Sequence, residues 1–224
     1  MSQSDPVDRL RAELIAVSVP TEAGPMAAYM KHRFEFLGVK SPARRTASKS
    51  MITTSTRGPI DDAVALASRL RAQPEREFHY VAGDLLRANQ QRLGCEHIAD
   101  LERLITTDSW WDTVDALASP TVGTMVRNHP GLIATMATWI ESDNMWLARA
   151  AIIHQLRFGE DTDVERLFDA AARRASDSEF FIRKAIGWAL RKYAQTDPDA
   201  VRCFVDAHLD VLSPLSVREA TKHL

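Results

Sequence analysis

The segments Trp111–Asp115 (WDTVD), Trp146–Ala150 (WLARA) and Phe181–Ala185 (FIRKA) decide the fold, because each begins with an aromatic residue at a regular spacing. These aromatic residues stand 35 positions apart, at 111, 146 and 181. A unit of this length is typical of helix-pair repeats, which bury their apolar faces only by stacking on one another. The spacing predicts a helical solenoid. It leaves the repeat class open, because the period is shorter than that of HEAT repeats and close to that of tetratricopeptide repeats.

Equivalent positions of successive repeats line one surface of a solenoid. We therefore expect Asp115, Ala150 and Ala185 to lie near one another along a concave inner surface. Arg149 and Lys184 occupy one register position in the last two segments, and we expect them on the same surface. The repeat thus predicts a carboxylate and two cations on one face.

Helical signals occur along the whole chain, and no run of alternating polarity predicts a strand. The capping segment Ser4–Pro6 precedes an apolar stripe at Val7, Leu10, Leu14 and Val17. A second helix is predicted over Pro25–Leu37, ending at Gly38. We expect an all-α fold. Later helix starts are predicted at Ser41, Asp161, Ser178, Thr196–Pro198 and Ser213.

Composition excludes several classes of site. With 224 residues and 45% hydrophobic residues the chain can bury a core. Cys95 and Cys203 lack the spacing of a zinc site or a disulfide framework, so we expect no metal. Phosphate-binding loops and the common hydrolase motifs are missing, and His79 and His154 are expected to pack or cap. Neither a signal peptide nor an 18-residue apolar run is present, which favours a cytoplasmic protein without a membrane segment.

Positive charge is segregated although the net charge is only -2. No acid occurs between Phe36 and Ile60, a segment that contains Lys40, Arg44, Arg45, Lys49 and Arg57. Such segregation can build a basic face for nucleic acid on a neutral protein. Two solvated helix faces would give the same pattern, so that alternative stays open. A second basic group is formed by Arg183, Lys184, Arg191 and Lys192.

Two tryptophans are adjacent, at Trp110 and Trp111. Neighbouring helix residues point about 100° apart, so one ring can pack in the core while the other is displayed. Asp115 follows Trp111 by four residues and shares its face. A carboxylate beside an indole needs a cap, an arginine or another positive charge. We expect Trp110 to pack, as we do Trp139 and Trp146.

Several stretches of the sequence resemble the DNA alkylation repair family, the HEAT-like-repeat DNA glycosylases of the AlkD type. The resemblance runs from about Pro25 to the C-terminus, with its motifs in the family's order and a weaker match over Met51–Gln73. The matching stretches are Met26–Gly38, Arg76–Tyr80, Ser109–Asp115, Trp146–Ile152, Phe180–Trp188, Leu212–Ser216 and Lys222–Leu224.

The resemblance implies one domain over residues 1–224, a right-handed α-solenoid of antiparallel helix pairs with a concave basic groove. Asp115 corresponds to the family's catalytic aspartate, and Trp111 and Trp188 to its active-site tryptophans. Arg149 matches a cleft arginine, expected to hold a phosphate, and Tyr29 a contributing tyrosine. The lysines and arginines expected to contact DNA are Lys40, Arg44, Arg45, Lys49 and Lys184.

The function that the resemblance implies is hydrolysis of the N-glycosidic bond of cationic N3- and N7-alkylpurines in duplex DNA, as in base excision repair. The expected enzyme is a monofunctional glycosylase without a cofactor, a monomer in a bacterial cytoplasm that associates with the nucleoid on DNA. Two alternatives remain: a catalytically silent DNA-binding repeat protein, and a helical-repeat scaffold for other proteins. Asp115 favours the enzyme over the silent binder, and the acid-free basic run favours both over the scaffold.

Overall fold

The computed structural model describes residues 5–224, and this part of the chain is helical throughout. Its one β feature is an isolated bridge between Glu35 and Glu75. The predicted all-α class is confirmed. The chain forms two compact units, one ending at Leu93 and the other spanning Gly94–Leu224. The assignment of residues 1–224 to one domain stays a prediction. No helix in residues 5–224 is long and apolar enough to cross a membrane.

Each unit is a set of short amphipathic helices. Those of the first unit are α1 (Pro6–Ala16), α2 (Pro20–Tyr29), α3 (Ser41–Ser55), α4 (Ile60–Arg71) and α5 (Arg76–Ala88). Those of the second unit are α6 (Ile98–Thr106), α7 (Trp111–Leu117), α8 (Gly123–Asn128), α9 (Ile133–Ile140), α10 (Met145–Ile153), α11 (Val164–Arg173), α12 (Phe180–Tyr193), α13 (Pro198–Ala207) and α14 (Pro214–Ala220). A π-helical turn, Ala118–Val122, joins α7 to α8.

Most predicted helix starts are confirmed. The Asp5 carboxylate accepts a hydrogen bond from the Val7 N–H at 2.8 Å, with Pro6 in the first turn. Ser4, the other predicted cap, lies outside the described residues. The starts at Ser41, Asp197 and Ser213 are also confirmed. Near the predicted starts at Asp161 and Ser178, α11 is capped by Asp163 and α12 by Glu179. In the first stripe, Val17 is exposed.

The predicted helix over Pro25–Leu37 is wrong. Helix α2 begins at Pro20, contains Pro25, and ends at Tyr29. Lys31 and His32 then adopt positive φ angles of 57° and 54°, which turn the chain out of the helix.

A buried carboxylate holds the turn before α3. Glu77 accepts hydrogen bonds from the backbone N–H groups of Leu37, Gly38 and Val39 at 3.0–3.1 Å. Gly38 has a φ of 86°, and a Cβ there would lie 2.3 Å from the Val19 carbonyl oxygen. The turn therefore requires glycine, and Glu77 satisfies the donors that it exposes.

The second unit is built from stacked helix pairs. Helices α7, α10, α12 and α14 pack in sequence. The other helix of each pair forms a parallel layer. Trp139 on α9 donates to Glu102 on α6, Arg173 on α11 pairs with Glu141, and Phe168 on α11 stacks on Phe204 of α13. This arrangement agrees with the predicted 35-residue unit. The right-handed sense and the concave groove stay predictions.

The repeat positions Ala150 and Ala185 lie elsewhere than expected. Both residues are fully buried, with 0% exposure, instead of lining an open surface. Small side chains at these positions let α10 pack closely on α12, which explains their place in the repeat.

Candidate functional site

An aromatic cluster forms one wall of the candidate site. Trp110 lies in extended backbone just before α7, and its ring centroid is 5.8 Å from that of Trp146 and 4.9 Å from that of Phe181. The rings of Trp146 and Phe181 are 5.0 Å apart. Trp139 and Trp146 are buried as expected, and Trp110 is half-buried and packs against the rings of Trp146 and Phe181. Trp110 therefore contacts aromatic residues of the next two repeats.

The central feature of the site is a buried ion pair between α7 and α10. Arg149 donates from Nε and Nη2 to the two carboxylate oxygens of Asp115, both at 2.7 Å. Its Nη1 donates to the Phe181 carbonyl oxygen on α12 at 2.6 Å. The Arg149 side chain is 6% exposed and that of Asp115 is 16% exposed. The bidentate geometry fixes the carboxylate plane. The expected proximity of Asp115 and Arg149 is confirmed.

A small part of the Asp115 side chain is accessible to solvent, and most of its surface is buried. Burial raises the pKa of Asp115 above the ordinary value of 3.8, because desolvation disfavours the charged form. The hydrogen bonds and charge of Arg149 oppose this rise. The negative charge of Asp112, one turn earlier on α7, adds to it. Arg149 thus favours the ionised form of a buried carboxylate.

The other predicted site residues of the second unit are Trp111, Trp188 and Lys184, and they differ in burial and in partners. Trp111 is half-buried and opens α7, one turn before Asp115. Trp188 is half-buried on α12, two turns after Phe181. Lys184 pairs with Glu219 at 2.9 Å instead of Asp115. The expected phosphate contact of Arg149 stays a prediction, and the burial of Arg149 and its three hydrogen bonds to Asp115 and Phe181 do not favour it.

The basic segment of the first unit divides into engaged and displayed side chains. Lys40 pairs with Glu22 at 2.7 Å. Arg44 is buried, lies 3.4 Å from Asp84 and covers the Tyr80 ring, so a phosphate contact is not favoured there. The side chains of Arg45, Lys49 and Arg57 are exposed. Tyr29, outside this segment, is 70% exposed.

The whole chain is similar to one protein family. The family model described as a DNA alkylation repair enzyme matches residues 10–224. The chain belongs to the DNA alkylation repair enzyme family. A solved structure described as a predicted DNA alkylation repair enzyme from Enterococcus faecalis is 36% identical, with a TM-score of 0.86, over 92% of this chain and 96% of that chain. The resemblance read from the sequence is confirmed, and this repair family implies DNA as the partner.

A second solved structure shares the fold alone. The protein smu.31 from Streptococcus mutans UA159 is 15% identical, with a TM-score of 0.60, over 82% of this chain and 96% of that chain. No curated protein matches the chain significantly.

Sequence reasoning missed two parts of this candidate site. The first is the Phe181 carbonyl, which accepts from Arg149. The repeat spacing singled out the aromatic ring of Phe181, but nothing in the sequence predicts that its backbone carbonyl accepts a hydrogen bond. The second is the π-helical turn Ala118–Val122, which follows Asp115 closely and contains Pro120. Because proline has no N–H, it removes a helical hydrogen bond, a local signal for the irregular turn. Within residues 5–224, no cluster of three or more His, Cys, Asp or Glu side chains could hold a metal.

The glycine after this turn makes a close contact with α10. A Cβ at Gly123 would lie 2.2 Å from the carbonyl oxygen of His154, the residue after α10. This contact packs the start of α8, which the π-helical turn joins to α7, against the end of α10, the helix that bears Arg149. We expect Gly123→Ala to lower the free energy of unfolding by about 1–3 kcal/mol, because backbone must move to admit the methyl group. Urea denaturation measures the change.

Gly131→Ala is the matched control, since a Cβ there meets nothing within 4 Å. Its effect should stay within about 0.5 kcal/mol. Equal stability of the two variants would contradict the packing role of Gly123.

Proposed function

We propose that the protein is a monofunctional DNA glycosylase for cationic N3- and N7-alkylpurines, such as 3-methyladenine and 7-methylguanine, in duplex DNA. The observation that carries the proposal is the buried Asp115–Arg149 pair, a carboxylate held in fixed orientation and still partly open to solvent. Family membership supplies the class of substrate, alkylated DNA. The proposal includes a monomer that needs no cofactor and acts on nucleoid DNA in a bacterial cytoplasm.

The substrate's own charge simplifies the chemistry. A purine alkylated at N3 or N7 is positively charged, so it accepts the bonding electrons of the C1′–N bond and leaves as a neutral base without a general acid. Positive charge then develops on the sugar, and a water oxygen bonds to C1′ and loses a proton. We assign two tasks to Asp115: its carboxylate stabilises the sugar cation and orients the water. A preorganised group of this kind contributes about 10²–10³ in rate.

Arg149 serves in this proposal as a positioning residue. Its two hydrogen bonds fix the Asp115 oxygens, and its positive charge opposes the rise that burial causes in the pKa of Asp115. The faces of Trp111 and Trp188 are proposed to contact the cationic nucleotide, which contributes roughly 0.5–2 kcal/mol for each ring. Lys184, the lysine at the repeat position, pairs with Glu219, which favours hydrolysis over a Schiff-base lyase step.

Base release from methylated DNA tests the proposal. Purified protein is incubated with duplex DNA treated with a methylating agent and, in parallel, with undamaged duplex. We expect free 3-methyladenine or 7-methylguanine and abasic sites only from the methylated duplex, with strand breaks appearing only after alkali. Binding of the methylated duplex without base release would instead identify a catalytically silent DNA-binding member of the family.

A further inference from the structure

A small pocket lies within the second unit, near the C-terminal ends of α10 and α12. Its volume is about 160 Å³. The apolar part of its lining is formed by four buried side chains, those of Ile152, Leu156, Leu167 and Ala189. An engineered protein cavity of about 150 Å³ with an apolar lining binds benzene. The pocket therefore has room for an apolar body of about the size of one benzene ring.

A buried amide adds a fixed polar group to the lining. Gln155 is 6% exposed and lines the pocket just after α10. Its Oε1 accepts from the Asp163 N–H at 2.8 Å, and its Nε2 donates to the Asp163 carbonyl oxygen at 3.2 Å. A side-chain amide has two N–H donors and an oxygen with two lone pairs. The two bonds to Asp163 therefore fix the amide and use only half of its hydrogen-bonding capacity.

Lys192 brings a positive charge to the pocket. Among residues 5–224, it is the one charged side chain that lines the pocket. Its Nζ donates to the Gln195 side-chain oxygen at 2.6 Å, and no carboxylate of the described chain pairs with it. Lys184 and Arg191 of the same basic group differ, since both pair with Glu219. The ammonium group of Lys192 is thus available to an external anion.

The acidic residues beside the lining in sequence do not neutralise this charge. They are Glu160, Asp161, Asp163 and Asp197, and none of them lines the pocket. Asp161 pairs with Arg127, Asp163 pairs with Arg166, and Asp197 caps α13. Glu160 is exposed to solvent, where salt screens its charge. The pocket therefore favours an anionic ligand over a cationic one.

We propose that this pocket binds a small organic anion, a monocarboxylate with a compact apolar body such as a benzene ring. The apolar body fills the space above Leu156 and Ala189, and the carboxylate accepts hydrogen bonds from Lys192 and from the remaining N–H of Gln155. Tyr193 forms an aromatic part of the lining, and its ring packs edge-on against Phe168 with centroids 6.1 Å apart. Burial of the apolar body and a charge-assisted hydrogen bond together select this class of ligand.

The site is separate from the Asp115 site and does not rest on the proposed function. Lys192 follows Phe181 on α12 by eleven residues, a distance of about 16 Å along the helix axis. A ligand in the pocket contacts α12 and the segment after α10, so it stabilises the folded protein. Benzoate should therefore raise the melting temperature in proportion to the occupancy of the pocket.

Binding of benzoate tests the site, with benzamide as its uncharged match. Amide chemical shifts of isotope-labelled protein are followed while each compound is added. We expect benzoate to bind with a Kd on the order of 1–10 mM, as suits so small a ligand, with the largest shifts at residues of the pocket. Benzamide should bind about three- to fivefold more weakly, because it lacks the charge that meets the exposed Lys192.

Lys192→Gln removes the charge and leaves the apolar floor. It should weaken benzoate binding about three- to fivefold and leave benzamide binding unchanged, so that the two compounds bind alike. Lys222→Gln is the matched control, because Lys222 is an exposed lysine of the second unit that does not line the pocket. Ala189→Leu fills the floor and should abolish binding of both compounds. If this variant does not fold, Lys192→Gln and benzamide still decide the result.

Four outcomes would overturn the proposal. They are the absence of saturable shifts with benzoate up to about 50 mM, equal affinities of the wild type for benzoate and benzamide, an equal loss of benzoate binding in Lys222→Gln, and unchanged binding by folded Ala189→Leu. Acetate and inorganic phosphate are added at the same ionic strength as further probes. If either bound as tightly as benzoate, the site would hold a free anion without an apolar body, and the proposal would fail.

Discussion

Asp115→Asn is expected to release alkylated purines from duplex DNA about 10²–10³-fold more slowly than the wild type. Asparagine has nearly the shape of aspartate and keeps an oxygen that can accept from Arg149. It lacks the negative charge that would stabilise the sugar cation. The loss should therefore appear in the single-turnover rate at saturating enzyme, whereas affinity for undamaged duplex should change little.

Asp112→Asn is the matched control for this prediction. Asp112 lies one turn before Asp115 on the same helix, and its charge raises the pKa of Asp115. Removing that charge should leave base release within about a few-fold of the wild type, since in this proposal Asp112 does not contact the sugar and its partly solvated charge acts weakly. If Asp112→Asn lost as much activity as Asp115→Asn, the carboxylate would have been assigned to the wrong residue. Equal release by wild type and Asp115→Asn would remove Asp115 from the mechanism.

The sequence predicted the part of the fold that depends on local and periodic signals. Capping residues such as Asp5 announce helix starts because their effect acts over a few residues. The 35-residue spacing placed Asp115 beside Arg149 because repeats stack in register. The helix predicted over Pro25–Leu37 failed for the opposite reason. Its end is set by positive φ angles and by Glu77, which lies 40 positions from Leu37 in sequence.

The same limit applies to the candidate site. Arg44 and Arg45 are adjacent and chemically identical, and only tertiary packing buries the first against Tyr80 and displays the second. One of Trp110 and Trp111 was expected to pack and the other to be displayed, but both are half-buried, and the aromatic period was aligned on Trp111. Trp110 lies in extended backbone just before the helix, and its ring packs against Trp146. The 35-residue period thus pointed to the residue next to Trp110, and the backbone conformation before α7 explains the contact between Trp110 and Trp146.

Arg149→Met is expected to destabilise the protein by about 3 kcal/mol and to abolish most base release. Removing one partner of a buried pair leaves an uncompensated charge, at a cost of about 3–5 kcal/mol, and the partial exposure of Asp115 favours the lower end. The double variant Asp115→Leu/Arg149→Met removes both charges. It should recover most of the stability and none of the activity. Urea denaturation and single-turnover base release distinguish these two outcomes.

The pH dependence of Arg149→Met gives an independent measurement of the same contact. Arg149 opposes the rise that burial causes in the pKa of Asp115, so its loss should raise that pKa further. The rate of residual base release falls on the acidic side of its pH profile, and this fall should occur at higher pH in Arg149→Met than in the wild type. The free energy of unfolding should also depend on pH, in a direction that the pKa shift sets. With the pKa of Asp115 higher in the folded than in the unfolded protein, the ionised carboxylate costs stability as pH rises through that window. The destabilisation of Arg149→Met should therefore shrink on acidification.

A stability difference that is constant from neutral to acidic pH, with no shift in the pH profile of base release, would show that Arg149 holds α7 to α10 by packing alone. Arg149→Lys should then behave like Arg149→Met, whereas a charge effect predicts partial rescue by the lysine ammonium.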